Sequence, residues 1–139
     1  MANYLAELYQ STVELHERFN TSQTVQQSLE LFTEEYTETL NEVPTGNKER
    51  LTEEFVDTLV TTIGVFRSIV KSENNLKNLN AMFLVIKKLH ELYLVIRKND
   101  ISNEQLEKSF EKVINKNNAK TLETHTLDHS TGKIKRVSR

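Results

Sequence analysis

Apolar residues recur along most of the chain at the three- and four-residue steps of an α-helix. In residues 3–19 the stripe is Tyr4, Leu8, Leu15 and Phe19, with Thr12 filling one turn. "NTS" interrupts it and offers Thr21 or Ser22 as the N-cap of a second helix over about 22–42. There Val25, Leu29, Phe32, Tyr36, Leu40 and Val43 line one face, and "VPTGN" ends the element. A third helix runs from near Asn47 to about 72, with Leu51, Phe55, Leu59, Ile63, Phe66 and Val70 as its core stripe. Another side of it aligns Glu54, Asp57, Thr61, Gly64 and Ser68. Small side chains on a helix face favour a close-packed surface or a pocket wall over solvent exposure.

Residues 75–98 are apolar on two sides, Leu79, Met82, Ile86, Leu89 and Tyr93 on one and Leu84, Val85, Leu92 and Val95 on the other. A helix with two apolar faces needs two partners, and in a small chain the second is a further copy, which predicts a homo-oligomer, dimer or tetramer. Ser102 followed by Gln105 opens a fifth helix over 103–116, with Leu106, Phe110 and Val113 inward. From residue 117 to 139 the periodicity is lost and an extended, basic, partly mobile tail is expected. The fold class is therefore all-α, a bundle of about five helices in residues 1–116 completed by oligomerisation.

Composition agrees with that class. The chain has 139 residues, one Pro and three Gly, too few turn residues for a sandwich or barrel of this length. Absence of Cys removes disulfides, thiolate metal sites and thiol nucleophiles. No run approaches the roughly 20 apolar residues of a membrane span, and "MANYLAELYQ" has neither a basic nor an apolar leader region, so a soluble, cytoplasmic protein is expected. Charge is unevenly placed: residues 1–65 carry twelve Asp/Glu against three Lys/Arg, and 66–139 carry fifteen Lys/Arg against eight Asp/Glu. Such halves suit a metal together with a phosphate, or else attract each other across a bundle or dimer.

The acidic half is also locally crowded. Glu35 and Glu38 are three apart on the second helix, as are Glu54 and Asp57 on the third, so each pair lies on neighbouring turns of one face. Antiparallel packing, which the short connection favours, lets the two pairs meet. Four facing carboxylates repel unless a cation sits between them, and oxygen-only donors suit Mg²⁺ or Mn²⁺ better than zinc. Magnesium binds readily through substrate phosphates, which points to phosphoryl chemistry.

"EEYTE" followed by "EEFVD" resembles the EExxE…ExxD signature of the all-α nucleoside triphosphate pyrophosphohydrolases, the superfamily of MazG, the all-α dUTPases, the dCTP pyrophosphatases and phosphoribosyl-ATP pyrophosphohydrolase. Fifteen residues separate Glu38 from Glu54, within the range of that family. "VELHERFN" is similar to its first-helix H-x-x-F element, "DTLVTTIG" to the helix continuing from the aspartate, and "KVINKNNAKT" to the N-x-x-K segment on the phosphate side. Residues 74–99 make an extra or lengthened helix relative to the compact members. The resemblance implies that Glu35, Glu38, Glu54 and Asp57 hold Mg²⁺ and that a nucleoside triphosphate is cut to the monophosphate and pyrophosphate. It places His16 and Phe19 near the base and Asn117 and Lys120 near the phosphates. Thr61 stands where dCTP-directed members often carry an aromatic, so the base is left unassigned. Glu34 or Glu38 would orient the attacking water, and Lys120 would offset charge on the departing pyrophosphate.

Two other classes compete. A helical interaction module would use the acidic and basic halves for self-association without catalysis. A nucleic-acid binder would use "KIKRVSR", but that segment lacks an aromatic for base stacking, and the acidic half opposes a long phosphate footprint, so no stable nucleic-acid partner is expected. A di-iron bundle is disfavoured by the absence of Glu-x-x-His.

Overall fold

The computed structural model describes residues 3–137; Met1, Ala2 and the last two residues of the basic tail, Ser138 and Arg139, lie outside the described residues. Five helices follow one another: α1 (Tyr4–Arg18), α2 (Val25–Glu42), α3 (Lys48–Val70), α4 (Asn75–Lys98) and α5 (Asn103–Ala119). Two short strands, β1 (His125–Asp128) and β2 (Lys133–Arg136), close the chain. No helix among the described residues is long and apolar enough to cross a membrane.

Each helix starts at a short polar side chain that accepts from a backbone N–H of the first turn: Asn3, Thr24, Asn47, Asn74 and Ser102. This satisfies donors that the helix itself leaves free. The cap of α2 is Thr24 and not Thr21 or Ser22, because Gln27 returns a bond to the Thr24 backbone and completes a reciprocal capping pair. Thr21 is instead turned inward, 2% exposed.

At the centre, α2 and α3 run antiparallel, joined by a turn of 3₁₀ helix over Val43–Thr45. Two hydroxyl pairs tie them, Ser28 to Ser68 at 2.7 Å and Thr39 to Thr58 at 3.1 Å. Small side chains at these crossings allow the helices to approach closely. Two apolar clusters flank the pair. Leu8, Val56 and Val113 join α1, α3 and α5, supported by Leu59, Ile63 and Phe110. Phe32, Val65 and Val85 join α2, α3 and α4, supported by Leu29, Ile69 and Leu89.

The buried faces of α2 and α3 are rotated from the most apolar stripes. Leu40 and Phe66 are exposed and Val70 is 85% exposed, while Ser28, Thr39, Thr52, Thr58, Thr62 and Gly64 are buried. Close approach of the two backbones selects small residues for the shared face, so hydrophobicity alone misplaces it. On α4 one apolar side is covered, through Val85, Leu92 and Ile96; Leu79, Phe83, Ile86, Tyr93 and Leu94 remain exposed.

The segment expected as an extended tail takes a different form. Its first residues prolong α5 to Ala119, and the rest folds into a hairpin pairing His125 with Arg136 and Asp128 with Lys133. Asp128 organises the turn, its Oδ1 accepting from Ser130 N at 3.0 Å and Oγ at 2.6 Å, its Oδ2 facing Lys135 Nζ at 2.7 Å. Gly132 takes φ +76°, a left-handed conformation that glycine adopts without strain. Gln23 and Gln27 dock the hairpin on the start of α2 by donating to the carbonyls of Gly132 (2.7 Å) and Ser130 (3.2 Å).

Candidate metal centre and the adjoining cleft

Glu35 and Glu38 on α2 and Glu54 on α3 each bring a carboxylate oxygen to within 4.8 Å of the other two. Their placement follows from the hydroxyl tie beside them. Thr39 and Thr58, which face each other across the helices, lie one turn beyond Glu35 and Glu54 and bond their carbonyls at 2.8 and 2.9 Å. Glu35 Oε2 and Glu54 Oε2 are buried and have no hydrogen-bond partner among the described residues. Unpartnered buried carboxylate oxygens are costly, and the acids respond by holding protons. Burial, then the charges of Asp57 and Glu38, push the Glu35 carboxyl up to about 9. Burial and Asp57 push Glu54 up to about 7.

Asp57, one turn along α3 from Glu54, lies outside the tight group but close enough to bear on both acids. Its Oδ2 is 3.8 Å from Lys116 Nζ, yet burial outweighs that cation and its carboxyl is also raised. Glu53, which the sequence pattern does not single out, holds α5 in place through Lys112 at 2.9 Å and Lys116 at 3.4 Å.

Beside the acids opens a cleft of about 220 Å³. Glu34, Glu35 and Asp57 line it together with Lys116, Lys120 and Lys133. Burial and the neighbouring Lys116 bring the Lys120 ammonium below its ordinary value, against the pull of Asp57 and Glu35. Lys133, from the hairpin, pairs with Glu34 at 3.0 Å. The same cleft is also lined by His16, Thr61 and Gly64. Burial, helped by Arg67 and Lys71, lowers His16 to about 4, so its ring is neutral near pH 7.

Of the residues singled out in the sequence, His16, Thr61, Asn117 and Lys120 thus share a cleft with Glu34, Glu35 and Asp57. Thr61 donates to the Thr58 carbonyl at 2.8 Å. Asn117 is almost fully buried, with its amide nitrogen turned toward Ser11 (3.3 Å) and Thr12 (3.2 Å) of α1. Phe19 is 6% exposed and lies outside the cleft lining. Gln23, Lys116, Gly132 and Lys133 also line the cleft and were not anticipated. For the last two, the signal was "LDHSTGKI", a turn-forming Asp and Gly between β-prone runs. No family model matches the chain, and neither a curated protein nor a solved structure matches it significantly.

Proposed function

We propose that the protein is a nucleoside triphosphate pyrophosphohydrolase of the MazG-like all-α kind, dependent on Mg²⁺ or Mn²⁺, that releases a nucleoside monophosphate and pyrophosphate. The observation that carries this reading is the conjunction of an acid cluster with two orphaned buried oxygens and a lysine-bearing cleft directly beside it. Carboxylates that must hold protons to coexist are a fitting donor set for a hard divalent cation, which replaces those protons. Glu35, Glu38 and Glu54 would hold it, with Asp57 next to them; bound there, the cation neutralises phosphate oxygens and acidifies a water.

The chain's own groups supply the rest. Lys116, Lys120 and Lys133 offer positive charge to the polyphosphate, Lys133 by exchanging Glu34 for it. Glu34 lines the cleft but stands outside the acid cluster, which suits it to accept a proton from water; Glu38, inside the cluster, is the alternative. Neutral His16 and the bare backbone at Gly64 provide a site for the nucleoside end. The reading also expects a homo-oligomer, supported by the uncovered apolar side of α4.

The test is to incubate the purified protein with canonical and modified nucleoside triphosphates, with and without Mg²⁺, and identify the products. Pyrophosphate and monophosphate are expected, with loss of turnover in Glu38→Ala and Asp57→Ala. Release of orthophosphate, or turnover indifferent to both substitutions, overturns the assignment.

A further inference from the structure

The cleft has walls of two kinds. Side chains of α1, α2, α3 and α5 line it from the bundle, and those helices are joined by the buried clusters around Val56 and Val65. A further wall is made by Gly132, Lys133 and Ile134 of the hairpin, none of whose apolar residues is buried. Its ties to the bundle are polar. Gln23 donates to the Gly132 carbonyl at 2.7 Å, and Gln27 to those of His129 at 3.3 Å and Ser130 at 3.2 Å. Lys133 pairs with Glu34 at 3.0 Å, both side chains being more than two-fifths exposed. Such ties hold weakly beside a buried apolar face.

The root of the hairpin is held differently. Arg18 Nη1 donates to the carbonyls of Asn117 at 3.2 Å and Lys120 at 2.7 Å, which clamps the end of α5. Between that clamp and β1 run Thr121, Leu122 and Glu123, all exposed, and then Thr124. Val137 N donates to the Thr124 carbonyl at 2.9 Å and continues the strand pairing, so the hairpin is one unit joined to α5 by a short connection. Size gives that unit a reason to move. At about 220 Å³ the cleft is smaller than the roughly 300–1,000 Å³ of sites that enclose drug-sized ligands, and a nucleoside triphosphate is at least that large.

We propose that the hairpin is a lid. It swings off α2 as a unit about residues 121–124 to admit a ligand larger than the closed cleft, then closes again. Lys133 is its latch, pairing with Glu34 when the cleft is empty and with the phosphates of the ligand when it is filled. The lid accounts for a cationic residue carried on the most weakly anchored wall, where it binds and excludes water in one movement. This inference rests on the assignment of the cleft as a nucleotide site.

The chain has no cysteine, so a single engineered disulfide can lock the lid. A Cβ at Gly132 would stand 2.7 Å from Gln23 Cγ, which places Cβ atoms at positions 23 and 132 within the about 4 Å that a disulfide spans. In the double variant Gln23→Cys, Gly132→Cys, stopped-flow association of Mg²⁺ with uncleavable α,β-imido deoxynucleoside triphosphates is expected to be about tenfold or more slower when oxidised than after reduction. Both states share one sequence, so lost side chains do not account for the difference. Hydrogen exchange in wild type supplies a second measurement: residues 125–136 should open far more often than α3, and bound imido nucleotide should slow their exchange about tenfold, an effect lost in Lys133→Met. Equal association in the two redox states, a bridge that does not form in the folded variant, or hairpin exchange indifferent to bound nucleotide overturns the lid and leaves the phosphate reading standing. Failure of inorganic tripolyphosphate and of every imido nucleotide to bind wild type overturns the phosphate reading, and this inference with it.

Discussion

Glu35 is a carboxyl that folding makes harder to ionise, and its effect on stability has a definite sign. Its proton is held more tightly in the folded chain, up to about 9, than in the unfolded one, near 4.5. The stabilisation from that bound proton is complete below about 4.5 and is lost as pH rises through about 9. Glu54, raised to about 7, acts in the same direction over the lower part of the window. In a chelating buffer the melting temperature is therefore expected to fall steadily between pH 5 and 9, and Glu35→Gln to flatten the slope. Adding Mg²⁺ at pH 8 should raise the wild-type melting temperature, release protons, and do little for the variant. A wild-type melting temperature that rises over that range in chelator would show that the acids are not packed against one another.

Among the elements, the hairpin borders the cleft although none of its apolar residues is buried in the core. It contributes Gly132 and Lys133 to the lining, and it is anchored by the side chains of Gln23 and Gln27. Any Cβ at Gly132 would meet Gln23 Cγ at 2.7 Å, and the left-handed backbone adds about 1–2 kcal/mol of strain for an L-residue. Gly132→Ala should thus release the hairpin while the bundle stays folded. Hydrogen exchange is expected to show lost protection for residues 125–136 and none for α3; equal protection in variant and wild type would mean that the hairpin is not docked.

Much of the helical framework is legible in the chain because caps and periodicity are local. Asn74 and Asn99 bound α4 where the pattern places it, Asn75–Lys98. Three of the four expected acids, Glu35, Glu38 and Glu54, are brought together, since three-residue spacing sets a helix face whatever the tertiary partners, whereas Asp57 stands outside that group. What was not legible depended on contacts between distant segments. Val70 and Leu40 read as core and are exposed, while small side chains such as Ser28, Thr39, Thr58 and Ser68 take the crossing between α2 and α3. Gln23 and Lys133 belong to the cleft through a hairpin more than a hundred residues away from Gln23, a separation no periodicity crosses. Extension of α5 to Ala119 is what carries Asn117 and Lys120 to the cleft on a helix end instead of on a tail.

For the whole molecule, the opposition of an acidic and a basic half is partly resolved within one chain. Glu53 meets Lys112 and Lys116 of α5, and Glu34 meets Lys133 of the hairpin, so α5 and β2 lie against the acidic helices. These exposed pairs contribute about 0–1 kcal/mol each and orient more than they stabilise. The proposed self-association would rest on a separate feature, the apolar side of α4, where Phe83 and Leu76 are each 71% exposed. Sedimentation is expected to give a dimer or tetramer for wild type and a monomer for Phe83→Glu; a monomeric wild type at high concentration would leave that side unexplained by another copy.

The hydroxyl ties of Ser28 to Ser68 and Thr39 to Thr58 bear on all of this from a distance. They act as paired bolts along a seam, and the gap between the carboxylates is inherited from their thickness. A side chain two carbons larger at either bolt would pry the rods apart and widen the space among the acids; on the proposed reading it would change which ionic radius fits there, although neither bolt stands among those acids.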